Sequence, residues 1–193
     1  MVILNNPSKK EFWIDSASHT VYDDFDSYGT GAFVTNTNWT ITLSGVGSPS
    51  STIVTSTNAG GSSDELRLVA ATNNYPQSVT AVATSKLLPS NKSIHIKGYT
   101  SFAASMLNGS SSATLTFNGS TVTIVSGTTT TAIFDITIVA LTGDVYDVYL
   151  GGKKVINASS TVSPQVTITA SCGSSAAGGY SGTIYIDDVV YSK

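Results

Sequence analysis

The sequence predicts an all-β fold, a two-sheet antiparallel sandwich, on three observations. Charged residues make up 11% of the 193-residue chain, against about 25% in an average globular domain. Ser and Thr fill the gap, at roughly 30% of the residues, and uncharged β-branched residues favour pleated strands over helices. Short alternating apolar and polar runs recur along the chain between closely spaced turn residues, the pattern of a sandwich or barrel. No stretch carries a capped 3.6-residue period.

Taken in order, residues 1–12 read as an arm in front of one domain spanning 13–193. The arm holds the apolar triplet Val2-Ile3-Leu4, which is too small to fold alone and suits addition to a strand edge of another subunit. Trp13 and Ile14 begin the apolar content of the domain, and His19 reads as a solvated strand end. An acidic strand follows, Val21-Tyr-Asp-Asp-Phe-Asp26, then the turn-rich Ser27-Tyr-Gly-Thr-Gly31 and the strand Trp39-Thr-Ile-Thr-Leu43. Further strands are expected at 52–57, 65–72, 79–88, 93–103, 112–118, 120–126, 131–140, 145–150, 153–157, 165–172 and 182–191. Asn118-Gly119 is expected to turn a tight hairpin, because this pair readily takes the positive φ angles of such a turn. Gly151-Gly152 is expected to do the same. The run 131–140 is nearly all apolar and predicts a central strand, and Trp13, Trp39, Phe117 and Phe134 are expected in the core. Residues 173–180 read as a flexible loop.

The last strand, within Ser181-Gly-Thr-Ile-Tyr-Ile-Asp-Asp-Val-Val-Tyr191, organises the rest. Strict alternation puts Ile184, Ile186 and Val190 on one face and Tyr185, Val189 and Tyr191 on the other. It also sends one of Asp187 and Asp188 inward, where a carboxylate needs a partner. The acidic strand near residue 21 is the expected antiparallel neighbour.

These two ends carry a resemblance. Asp23-Asp-Phe-Asp-Ser-Tyr-Gly-Thr-Gly-Ala-Phe33 followed by Asn38-Trp-Thr-Ile41 is similar to the opening of concanavalin A-like jelly-roll domains. Ile184-Tyr-Ile-Asp-Asp-Val189 resembles the last strand of that superfamily and of jelly-roll carbohydrate-binding modules. Ser63-Asp-Glu-Leu-Arg-Leu68 resembles an internal step of the same domains. The resemblance implies a jelly roll with its first and last strands side by side. It also raises the case for a structural calcium among Asp23, Asp24, Asp26, Asp187 and Asp188, since calcium takes about six to eight oxygen ligands and pairing of the end strands would bring these carboxylates together.

The residues narrow the chemistry. A net charge of −3 with nine scattered basic residues lacks the basic surface of a nucleic-acid binder. No apolar run approaches the roughly 20 residues of a membrane-crossing helix. The lone Cys172 reads as a small buried hydrophobe. Glu11 and Glu65 are the only glutamates, and neither lies in the Glu-x-Asp-x-x-Glu strand of concanavalin A-like glucanases. His19 and His95 have no recognisable partners, and Asp144 and Asp147 read as solvated edge residues, so no enzyme is expected.

Glycan-binding candidates are the aromatics beside expected loops, Tyr28, Tyr75, Tyr99, Phe102 and Tyr180. Sequons place glycosylation candidates at Asn38, Asn91, Asn108, Asn118 and Asn157. Sequons without an export signal fit a protein that reaches the outside by assembly. The expected function is therefore a non-enzymatic structural jelly roll on a surface, a viral capsid, turret or fibre component at the virion or extracellular surface, partnered by itself or other virion subunits. The alternative is a carbohydrate-binding or adhesion module for a cell-surface glycan.

Overall fold

The computed structural model describes residues 19–56, 58, 64–72, 77–86, 88–104, 109–127, 130–142, 145–160, 164–174 and 179–192. Residues 1–12, Trp13, Tyr75, Asn108 and Asp144 lie outside them, as does the side chain of Asn157.

Among the described residues every regular element is a strand, and every pairing is antiparallel. The strands are β1 (His19–Asp23), β2 (Gly31–Ala32), β3 (Trp39–Ser44), β4 (Ser50–Thr55), β5 (Asp64–Thr72), β6 (Gln77–Ser85) and β7 (Ile94–Ala104). They continue as β8 (Gly109–Phe117), β9 (Ser120–Gly127), β10 (Thr130–Leu141), β11 (Val145–Leu150), β12 (Lys153–Ser160), β13 (Val166–Ser174) and β14 (Tyr180–Ser192). A nine-stranded sheet runs β12-β11-β10-β7-β14-β5-β4-β2, with β1 beside β14. A five-stranded sheet runs β3-β6-β13-β8-β9. Strands β5 and β14 pack across onto β6, β8 and β13, which makes the molecule a two-sheet sandwich.

The core follows from alternation. Leu66 and Leu68 of β5, Ile94 and Ile96 of β7, Ile136 and Ile138 of β10, and Ile184 and Ile186 of β14 are almost fully buried from the large sheet. Ala81, Ala83, Ala113, Leu115, Ile168 and Ala170 meet them from the small sheet. Trp39, Phe117 and Phe134 are core residues as expected. Both hairpins form: Asn118 and Gly119 take φ of 46° and 81° between β8 and β9, and Gly151 and Gly152 take 54° and 78° between β11 and β12. Each has the positive pair that matches strand twist. Cys172 is buried, and burial pushes its thiol pKa up, which leaves it protonated and inert.

The outer face of the small sheet explains the composition. Cross-strand neighbours there read Thr40, Thr84, Thr167, Thr116, Thr121 in one row and Ser44, Thr80, Ser171, Ser112, Ser126 in another. Hydroxyls bond across the strands, Thr84 to Thr167 at 3.0 Å, Ser112 to Ser171 at 2.6 Å and Thr116 to Thr121 at 2.7 Å. Methyls supply β propensity and hydroxyls supply hydration, so a wide face needs no charge.

Four expectations are corrected. The register of β14 on β7 shifts between Ile186 and Val189. Two residues, Asp187 and Asp188, fill this bulge, so Val189 rejoins the side of Ile184 and Ile186, pairing with buried Ile96, while Val190 pairs with His95. Residues 173–180 are not all loop, since β13 runs to Ser174 and β14 begins at Tyr180. Asp147 is 7% exposed and receives Lys154 Nζ at 2.6 Å, because β12 lies alongside β11 and its lysine reaches back across. His95 does have a partner, Asp135 Oδ2 at 2.8 Å, brought beside it by the pairing of β7 with β10.

Candidate functional site

The expected pairing of the two ends is present. Thr20 lies opposite Tyr191, Val21 opposite Val190 and Asp23 opposite Val189. Strand β14 is flanked on that side first by β5, up to Ile186, and then by β1 from Val189. The Asp187–Asp188 bulge is the place where the neighbour changes.

The acidic stretch that leaves β1 is a hydrogen-bonding hub. Asp23 is 5% exposed. Its Oδ1 accepts the Phe25 N–H at 3.0 Å. Its Oδ2 accepts Tyr28 Oη–H at 2.8 Å, Asn38 Nδ2–H at 3.1 Å and Trp39 Nε1–H at 2.9 Å. The Asp23-to-Phe25 bond holds Phe25 at a φ of 62°, which is uncommon for a bulky residue. Phe25 is thereby buried against Phe33 and Trp39. Asp24 Oδ1 accepts the Asp26 N–H, and Asp26 Oδ1 accepts the Asp64 N–H at the start of β5. Asp187 is fully buried and Asp188 half-buried. Asp23 lies opposite Val189, the residue that follows the Asp187–Asp188 bulge. Among the described residues no three of His, Cys, Asp and Glu form a group able to hold a metal ion.

Of the aromatic candidates, Tyr28 belongs to this hub. It is 37% exposed, bonded to Asp23 and packed edge-on to Phe33 at 5.0 Å. Burial, and then the bond to Asp23, push its hydroxyl pKa up to about 12. Phe102 and Tyr180 are corrected. Each is 2% exposed: Phe102 falls on the buried side of β7 with Ile94, Ile96 and Thr100, and β14 begins at Tyr180, earlier than expected, on the side of buried Ile184 and Ile186. Among the sequons, Asn91 and Asn118 are exposed at turns, whereas the Asn38 amide is engaged by Asp23.

Tyr99 is different. It stands on the outer face of the large sheet in cross-strand register with Tyr185, and the row continues on both sides: Ile133 of β10, Tyr99 of β7, Tyr185 of β14, Arg67 of β5, Thr52 of β4. Four steps of about 4.8 Å make the row about 19 Å long. Ile133 is 73% exposed, and the two tyrosines are half-buried. Their ring centroids are 5.9 Å apart and their planes 49° apart. Arg67 Nε donates to Thr52 Oγ1 at 3.2 Å. A row of Thr131, Ser101, Thr183, Val69 and Ser50 flanks it on one side. Lys97 and the His95–Asp135 pair flank it on the other.

Tyr185 and Arg67 were not among the expected site residues. The signal for both was alternation, since each sits between two buried residues and must face out. What alternation could not supply was the strand order that sets them side by side.

No family model and no curated protein matches the chain. Solved structures do. TmCBM61 in complex with β-1,4-galactotriose is similar at 12% identity over 79% of this chain and 88% of that one, with a TM-score of 0.38. The family 11 carbohydrate-binding module from Clostridium thermocellum, in complex with a β-1,3-1,4-mixed-linked tetrasaccharide, is similar at 11% identity over 90% and 95%, with a TM-score of 0.41. The enzymatically active domain of bacteriophage CBA120 tailspike protein 4 is similar at 19% identity over 86% of this chain but 21% of that one, with a TM-score of 0.38. Each likeness is one of fold alone.

Proposed function

We propose that this chain is a non-catalytic carbohydrate-binding module whose ligand lies along the row Ile133–Tyr99–Tyr185–Arg67–Thr52. The observation that carries the reading is the tyrosine pair at the centre of a sheet face. A pyranose ring has an apolar C–H face and a hydroxylated rim. The tyrosine rings offer apolar area for the first, and the flanking Thr, Ser and Arg groups offer hydrogen bonds for the second. The 49° angle between the ring planes suits successive sugars rotated against one another, a single chain in solution rather than a flat crystalline surface. No nucleophile or acid–base pair is invoked.

Tyr185→Ala is expected to abolish binding to soluble polysaccharides in affinity electrophoresis while the melting temperature stays within a few degrees. Unchanged binding by this variant sinks the reading. A virion role is a separate proposal. It rests on residues 1–12, and its test is whether a chain lacking them still assembles into particles. Calcium is likewise a proposal, for Asp23, Asp24, Asp26, Asp187 and Asp188. A chelator that lowers the melting temperature supports it by mass action, and an unchanged melting curve removes it.

A further inference from the structure

We infer that the saccharide bound along this row is acidic, its carboxylate taken by Arg67; the inference rests on the carbohydrate-binding reading above. Arg67 is placed by β5 between buried Leu66 and Leu68 and so faces outward, one strand from Tyr185. Its Nε–H is committed to Thr52 Oγ1, which fixes the plane of the guanidinium. The two terminal nitrogens stay available, and their N–H groups form the fork that matches a carboxylate. Among the described residues Arg67 makes no ion pair; those present are His95 with Asp135 and Lys154 with Asp147.

The surrounding charges sharpen the assignment to this one residue. Of the other cations on the face, Lys154 is paired with Asp147, and Lys97 lies opposite Asp135 and beside the Asp187–Asp188 bulge, so acids offset the charge of each. Glu65 shares Arg67's strand and side but is fully buried, and Asp135 is engaged by His95. Among the described residues Arg67 is therefore the cation next to the tyrosine pair that holds no ion pair. A neutral sugar uses such a group as an ordinary donor. A uronate uses it as a charge-assisted, two-point partner, which is about twice as strong.

The test uses an array of uronate oligosaccharides of several backbones, each printed beside its neutral methyl ester. The wild-type chain is expected to bind at least one acid roughly tenfold or more tighter than its ester, with the difference shrinking as salt rises. R67Q is expected to erase that difference while keeping the melting temperature, and K97A to preserve it. Esters bound as tightly as acids, or a preference that survives R67Q, overturn the inference while leaving a glycan binder in place. Failure to bind any saccharide, acidic or neutral, overturns both.

Discussion

Asp23 does more for this fold than any other charged side chain described. It ends β1, turns the chain through Phe25 and holds the indole of Trp39 between the sheets. Asp23→Asn can keep its one oxygen in front of the three donors on Oδ2 only by turning its NH2 toward the Phe25 N–H, which then loses its acceptor. The expected cost is about 1–3 kcal/mol, read as a shift in urea midpoint. The same corner sets the alkaline limit. Burial first, and the nearby Asp23 as well, push the hydroxyls of Tyr22 and Tyr28 up to about 12. Each holds its proton more tightly folded than unfolded, so its contribution is complete below pH 10 and lost as pH rises towards 12. Stability is expected to fall across that window, and Tyr28→Phe to flatten the fall. A second close fit is Gly98 against Phe134. A Cβ on Gly98 would overlap the ring. Gly98→Ala is expected to cost about 1–3 kcal/mol and Phe134→Ala about 3–5. Measured together they should prove non-additive, the second making room for the first.

At the scale of elements, β14 joins the parts. It pairs with β7 along one side and with β5 and β1 along the other. Ile184→Ala is expected to cost about 2–5 kcal/mol. It should shift the signals of both sheets together, with Trp39 fluorescence and far-ultraviolet dichroism showing one transition; two separate transitions would show the sheets to be independent. Most of these strands were legible from alternation and turns because each depends only on local chemistry. Asn118-Gly119 and Gly151-Gly152 specify their own hairpins, and the acidic ends of the sequence marked β1 and β14 as neighbours. The bulge at Asp187–Asp188 was not legible, because an extra residue is recognised only against the strand it faces. The site was harder still. Aromatics were sought beside loops, yet Phe102 and Tyr180 sit where long strands carry them inward. The pair Tyr99 and Tyr185 exists only through the register of β7 on β14, between residues far apart in the chain.

Across the whole molecule the two outer faces divide their labour. The small sheet presents Thr and Ser rows with the Lys86 ammonium bonded to Thr40 at one end, while the large sheet gathers the aromatic groups and the ion pairs. Little of the chain's stability should therefore depend on ion pairs. Raising salt is expected to leave the melting temperature nearly unchanged, since exposed pairs contribute about 0–1 kcal/mol each; a large shift would show charges carrying more of the fold.

The central place of β14 has a consequence for how the protein is made. Its partners β1, β5 and β7 all leave the ribosome before it does. Translation from Ala104 to Tyr180 takes about 4–15 s at ordinary rates. Through that interval the large sheet exists as separate pieces, with β5 and β7 each presenting an open edge to any passing strand. A nascent chain is therefore exposed to wrong pairing until β14 is added. Tyr185 arrives on that same strand, so the row it forms with Tyr99 and Arg67 comes into being only when the sheet closes.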